Sequence, residues 1–369
     1  MRVLYFVGAL EIGGLERYVT RMALRARATG VFEPVVCCLH EKRGPFLQVL
    51  QGAGVSVYQA PVNWRRTPGA LHEFSRLIRQ IRPSLVHSQS NFSLLQQFLA
   101  VRLAGAAAFC VTERSEYVLK GAARLRRMLQ FHLLNVFGGH YSANSASTAL
   151  HVARQSKGDV QKVQVLPNGV AIIPPDDEQR ARIRAQLGWK ADDIGLGYIS
   201  NLRPGKGQDL FIQALHTLYT EGLSVRGCLL GSGPERDILK KQLQELHLAQ
   251  VVDMPGTVSN VEDYLQAFDI TALFSVREGM PNAVLEAMAA GKAVIGTPAG
   301  GIPEMFDKGK AGLVVPRELQ AITDGLRLLV QDGNLRQKLG RNAVYRVERS
   351  FGLEKTFFEL YRYYQEIAC

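Results

Sequence analysis

The residues best suited to chemistry stand in one short segment. In REGMPNAVLEAMAAGKAVIGT, Glu278 and Glu286 enclose seven residues, among them Gly279, Met280, Pro281 and Asn282. The segment follows an apolar strand pattern, ITALFS (270–275). Pro281 suits the first turn of a helix, where its missing N–H is no loss, and Gly291 suits the helix end. A helix is therefore expected to start just after Glu278-Gly279-Met280. Its first backbone N–H groups lack intrahelical partners and, with the positive end of the dipole, form an anion site. Carboxylates beside such a site are poorly placed to meet phosphate. Glu278 and Glu286 are better suited to accept hydrogen bonds from the hydroxyls of a sugar-rich ligand.

The run E-G-M-P-N-A-V-L-E resembles, without interruption, the E-G-x-P-N-x-x-x-E mark of the retaining GT-B glycosyltransferases of family four, the group 1 glycosyl transferases. The resemblance implies that Glu278 contacts the hydroxyls of a donor sugar and Glu286 the ribose. It also implies that the turn Gly279, Met280, Pro281 and Asn282 touches sugar and phosphate, through the backbone N–H groups of its residues other than proline. GGLER (13–17) is similar to the family's G-G-x-E-R, in which Gly13 and Gly14 let a helix start approach the donor diphosphate. VLPNGV (165–170), GSGPE (231–235) and GGIPEMF (300–306) followed by GLVVP (312–316) extend the likeness, although a tight strand-to-helix turn fully explains GSGPE.

In ISNLRPGKGQDLF (199–211), Lys206-Gly207 aligns with the family's Lys-Gly, while Asn201 stands where the family has Arg. Arg203 lies two residues later on a long side chain, and is expected to join Lys206 in neutralising the diphosphate. The glycines around Lys206 are not a Walker A loop, since the earlier Gly spacing and the following Ser/Thr are absent. On the acceptor side the family often shows H-x-H and T-x-H. Here the segments read His87-Ser88-Gln89 and Thr112-Glu113-Arg114, so His87 alone matches a histidine. His87 is read as a catalytic candidate beside the plainer role of a hydrogen-bonding structural residue. Tyr117, Asn144 and Ser145 are further strand-end positions on that side.

The implied chemistry is transfer of a sugar from a nucleotide-sugar, most simply a UDP-sugar, to a glycan, lipid-linked or small-molecule acceptor, with retention of configuration. Lys206, Arg203, Glu278 and His87 form the expected catalytic set. No metal or other cofactor is expected, because no Asp-x-Asp is present. A nucleotide-sugar epimerase or hydrolase on the same scaffold is one alternative. A catalytically silent glycosyltransferase-like partner is another, motivated by Asn201, Gln89 and Arg114. A dehydrogenase is disfavoured, because no G-x-G-x-x-G follows the first strand.

These residues need a scaffold of parallel strands. Short apolar runs alternate with helical patterns: 2–8, 33–40, 55–60, 84–89, 108–114, 140–145 and 162–167, then again 194–200, 225–231, 250–256, 270–275, 293–297 and 311–316. Such alternation predicts two α/β doubly wound, Rossmann-like domains, each a parallel sheet covered by helices. By resemblance they face each other across a cleft in the GT-B manner. The expected division is 1–168 for an acceptor-side domain, with 350–369 packing back on it, and 169–349 for a nucleotide-sugar domain. The last helical pattern, LEKTFFELYRYYQEIA, carries an aromatic stripe read as packing.

The chain has 369 residues, 47% hydrophobic and 21% charged, which is ordinary globular composition. Its net charge of +11 is concentrated in the first half: residues 1–165 carry 21 Lys/Arg against 8 Asp/Glu, and 166–369 carry 23 against 25. Clusters lie at Arg65, Arg66, Arg76, Arg79 and Arg82, and at Lys120, Arg124, Arg126 and Arg127. A solvated basic surface is one reading; attraction to an anionic membrane face or a phosphate-bearing acceptor is the other. No recognised nucleic-acid module accompanies the charge. The five cysteines show no metal-ligand spacing, and their odd number argues against a disulfide framework. The longest apolar stretch, Phe92 to Val111, is broken by Gln96, Gln97 and Arg102. A cytoplasmic protein, peripheral at the inner membrane face at most, is expected.

Overall fold

The structure is a computed structural model that describes residues 1–90, 93–106 and 108–368. Cys369, and Phe92 at the head of the longest apolar stretch, fall outside the described residues. Each of the apolar runs forms a strand, because a strand covered on both faces can be apolar throughout. In β1 (Arg2–Val7), for example, every residue after Arg2 is buried.

The chain divides into two compact units. The first comprises Met1–Asn168 and the chain from Glu354 onward. Its sheet contains β1, β2 (Glu33–Cys38), β3 (Ser56–Gln59), β4 (Leu85–Ser88), β5 (Ala108–Glu113), β6 (Gly139–Ala143) and β7 (Val163–Val165), in the order β3-β2-β1-β4-β5-β6-β7. The second, Gly169–Leu353, contains β8 (Ile194–Ile199), β9 (Val225–Leu230), β10 (Val252–Gly256), β11 (Ile270–Leu273), β12 (Ala293–Gly296) and β13 (Leu313–Val314), in the order β10-β9-β8-β11-β12-β13. The strand pairs are parallel. Both units are therefore doubly wound. Their order reverses beside the first strand of each, at β1/β4 and at β8/β11, and such a reversal opens a crevice at the carboxyl ends of the strands.

Separate cores hold the sheets. Leu4, Phe6, Phe74, Val86 and Phe109 centre the first, and Leu196, Phe211, Leu229, Phe268 and Ile295 the second. The cysteines at 37, 38, 110 and 228 are buried free thiols. Among the described residues no helix is long and apolar enough to cross a membrane.

The helix Leu353–Ala368 completes the first unit. Its aromatic stripe is packing: Phe357 lies 5.8 Å from Phe32, centroid to centroid and nearly parallel, and Phe357, Leu360 and Tyr364 are buried. Phe357→Ala empties a wholly buried aromatic site and is expected to cost about 3 kcal/mol. Urea unfolding monitored by circular dichroism checks this; an unchanged midpoint would show that the helix is not integral to the first unit.

Candidate functional site

In the second unit the crevice loops belong to β8 and β11, which pair directly. The β8 loop supplies Asn201, Arg203 and Lys206, and the β11 loop supplies Glu278 through Pro281. Side chains join the two. Lys206 Nζ donates to Glu278 Oε1 at 2.6 Å, and Ser275 Oγ donates to the same oxygen at 2.6 Å. Beneath them the buried Tyr198 hydroxyl donates to the Lys206 carbonyl and accepts from Phe274 N at 2.7 Å. A further backbone bond, Val276 N to Gly205 O at 2.8 Å, zips the loops together.

Two glycines make this approach possible. Gly207 has φ +83° and heads the helix Gln208–Thr220; a Cβ there would stand 2.4 Å from the Phe274 carbonyl oxygen. Gly300 has φ +55°, and a Cβ would stand 2.2 Å from the Glu278 carbonyl oxygen. Gly301 N then donates to Gly279 O at 2.6 Å, so the GGIPEMF segment buttresses the turn after Glu278. GSGPE plays a similar supporting part, with Leu202 N bonded to Ser232 O and Glu235 N to Leu202 O.

The helix following the turn runs Asn282–Ala289. Pro281 precedes its first turn, as the N-cap with φ −70°, one position earlier than its sequence preference suggested. Glu286 is the fifth helical residue and only 3% exposed, and Met280 is also buried. Arg203 is exposed, with its backbone in the turn that presents Lys206.

In the first unit, Gly13 caps the helix Gly14–Thr29 with extended backbone. The missing side chain leaves room for Glu16, whose Oε2 would lie 2.2 Å from a Cβ on Gly13. Burial pushes the Glu16 carboxyl above the usual carboxylate range, opposed in part by its own backbone N–H and by Arg114. A carboxylate over this helix start is a feature that glycine spacing alone did not disclose.

His87 lies deep in the first unit. It has no exposed surface, and every ring nitrogen is engaged: Nδ1 with the Tyr364 hydroxyl at 2.5 Å, Nε2 with Thr112 Oγ1 at 2.6 Å and with the Gln89 amide at 2.9 Å. Burial, aided by the charge of Arg114, holds its pKa well below the usual value. The enclosed imidazole acts here as a buried connector between strands and the last helix, the plainer of the two roles expected for His87. Ser145 is likewise a helix cap, accepting from Thr148 N at 3.0 Å, and Asn144 is buried.

Arg114 and Gln89, the two departures on this side, are partners. Arg114 Nε donates to Gln89 Oε1 at 2.7 Å, its Nη1 donates to Asn168 Oδ1 at 2.5 Å, and its guanidinium lies 3.9 Å over the Tyr18 ring. Gln89 Oε1 accepts this bond, so its amide N–H faces His87 Nε2 and the imidazole proton sits on Nδ1. Beyond this network, a cavity of about 400 Å³ is lined by Glu113, Ser115, Tyr117, Gln130 and His151 among others, with the buried Glu113–Arg127 ion pair at its wall.

Known proteins resemble the chain across both units. Residues 12–172 match the family model Glycosyltransferase Family 4, and residues 179–345 match Glycosyl transferases group 1. The chain is 26% identical over 339 residues to a Bacillus subtilis protein named as a teichuronic acid biosynthesis glycosyltransferase, TuaC, covering 85% of this chain and 81% of that one. It is 29% identical over 187 residues to the N-acetyl-alpha-D-glucosaminyl L-malate synthase of Bacillus anthracis, covering 50% and 49%. Among solved structures, Anabaena HepE in complex with UDP-glucose superposes with a TM-score of 0.86 at 21% identity, over 99% of this chain and 100% of that one. At that identity the likeness is one of fold.

The state of His87 sets a pH dependence. In the unfolded chain an imidazole takes up a proton below about pH 6.5. The buried ring resists protonation, so the folded protein binds fewer protons and its stability falls as the pH drops below that value. Unfolding free energies measured between pH 7.5 and 5 are expected to fall more steeply in the wild type than in His87→Gln, by up to about 1.4 kcal/mol per pH unit. Equal slopes would mean that His87 is protonated in place.

Proposed function

The chain belongs to the group 1 glycosyltransferases, enzymes of GT-B fold, and from that membership we propose that it moves a sugar from a UDP-sugar to a glycan, lipid-linked or small-molecule acceptor, retaining anomeric configuration and using no metal ion. One observation carries the proposal: the contact of Lys206 with Glu278 at 2.6 Å across the β8 and β11 loops, beside the helix start at Asn282. Support for UDP comes from HepE, whose solved structures hold UDP and UDP-glucose. A glycan acceptor is supported by relatives named for polysaccharide biosynthesis, such as TuaC and VipC/TviE of Salmonella typhi.

Glu278 and Lys206 divide the work. An ammonium has three donors, so a bond to Glu278 leaves two for oxygens of the donor diphosphate. Both bonds to Glu278 use Oε1, which leaves Oε2 to accept from a sugar hydroxyl. Glu286 accepts from the ribose, and the N–H groups of Gly279, Met280 and Asn282 meet sugar and phosphate. As the bond between the anomeric carbon and the phosphate oxygen breaks, charge grows on the departing phosphate. Lys206, held by Glu278, meets it with a donor already oriented, the kind of preorganisation that contributes most in many enzymes, and Arg203 reaches it from the same loop. The acceptor oxygen attacks from the same face, and its proton passes to the departing phosphate.

The basic first unit is proposed to rest against an anionic membrane surface at the cytoplasmic face, where a lipid-linked acceptor is within reach.

Melting-temperature screens with UDP-, GDP- and ADP-sugars are expected to show the largest rise with a UDP-sugar, since ligand bound only to the folded state stabilises it. Lys206→Ala is expected to lower transfer by about 100-fold or more. Glu286→Ala is expected to weaken donor binding while the far-ultraviolet circular dichroism stays unchanged. Full activity in both variants, or no thermal response to any nucleotide-sugar, would sink the reading.

A further inference from the structure

Helix Gly121–Val136 turns an apolar stripe away from the core. Phe131 and Leu134 are buried, whereas Leu125, Leu129 and Val136 are exposed, at 67%, 56% and 60%. Spacings of four and seven residues put these three on one side of a helix. Phe137 just after the helix and Tyr117 and Val118 just before it are exposed as well. A surface helix ordinarily needs a single apolar stripe, toward the core, and a second one facing water marks an interaction surface.

The flanks of the stripe are cationic. Lys120, Arg124 and Arg126 are exposed, and from Tyr117 to Gly158 the sequence contains no Asp or Glu. A second copy docking through this face would bring like charge against like charge. A nucleic-acid backbone would satisfy the arginines but leave the aliphatic stripe uncovered. An anionic bilayer complements both features, taking aliphatic side chains into the headgroup boundary while lipid phosphates meet the cations.

We propose that helix Gly121–Val136 is an interfacial helix that seats the first unit on an anionic lipid bilayer, with Leu125, Leu129 and Val136 entering the headgroup boundary and Lys120, Arg124 and Arg126 meeting lipid phosphates. This rests on the membrane contact proposed above and gives it a defined surface. It is independent of donor chemistry, so the response to a UDP-sugar separates its failure from that of the transferase reading.

The test is cosedimentation of the full chain with large unilamellar vesicles of phosphatidylcholine alone or containing about a third phosphatidylglycerol. The anionic vesicles are expected to bind at least about tenfold more strongly. Leu125→Ser with Val136→Ser, and separately Lys120→Glu with Arg124→Glu, are each expected to weaken that binding by about tenfold. Both variants should keep the circular dichroism spectrum and the UDP-sugar thermal shift of the wild type. Equal binding to neutral vesicles, or anionic binding undiminished in both variants, would overturn the proposal. So would a wild-type dimer that the double serine variant converts to monomer, because the stripe would then be a protein interface.

Discussion

The ion pair between Lys206 and Glu278 is the contact on which the second unit's site depends. It spans 72 positions of sequence and closes two loops that leave neighbouring strands. Both groups are mostly withdrawn from water, with side-chain exposures of 28% and 11%. Removing either partner leaves a partly buried charge without its counterpart, a larger penalty than the pair's own net contribution. Tyr198 stiffens the arrangement by bonding to both loops through one hydroxyl, which keeps the lysine and the carboxylate at fixed separation. A separation set at folding in this way needs no later rearrangement of the two loops.

The first unit uses buried polarity differently. Arg114, Gln89, His87, Tyr364 and Tyr5 form a chain of hydrogen bonds running from a strand-end loop into the core. In a medium of low dielectric such a chain tolerates no missing member, since each unpaired group would carry its full desolvation cost. Gln89 and Arg114 looked like two separate departures from the family pattern. Bonded to each other, they amount to one coordinated change that leaves His87 satisfied and neutral.

How much of this was readable in the sequence follows from the range of each interaction. Strands buried on both faces declare themselves as continuous apolar runs, so the alternation along the chain predicted each strand of both sheets. The Gly, Pro and Asn around Glu278 were readable because each has a conformational preference that acts within a few residues. Pro281 was misplaced by one position, since its fixed φ suits the N-cap as well as the first turn. The pairing of Lys206 with Glu278 left no local trace. Tyr198 gave no signal beyond its place in an apolar run, because a hydroxyl's partners are set by the fold. His87 read as a candidate catalyst because its enclosing partner, Tyr364, lies 277 residues further on. Glu16 went unnoticed over Gly13, where the glycine looked like room for a ligand.

The membership of residues 354–368 in the first unit bears on how the protein is made. Tyr364 and Phe357 fill the sheet that begins at Arg2, yet they leave the ribosome only after the whole of Gly169–Leu353 has been synthesised. At about 5 to 20 residues per second that interval is on the order of 10 to 40 seconds. Throughout it, Phe32, Tyr5 and His87 lack their covering helix. The first unit to be translated is thus the last to be finished, and its aromatic face waits for the helix that covers it.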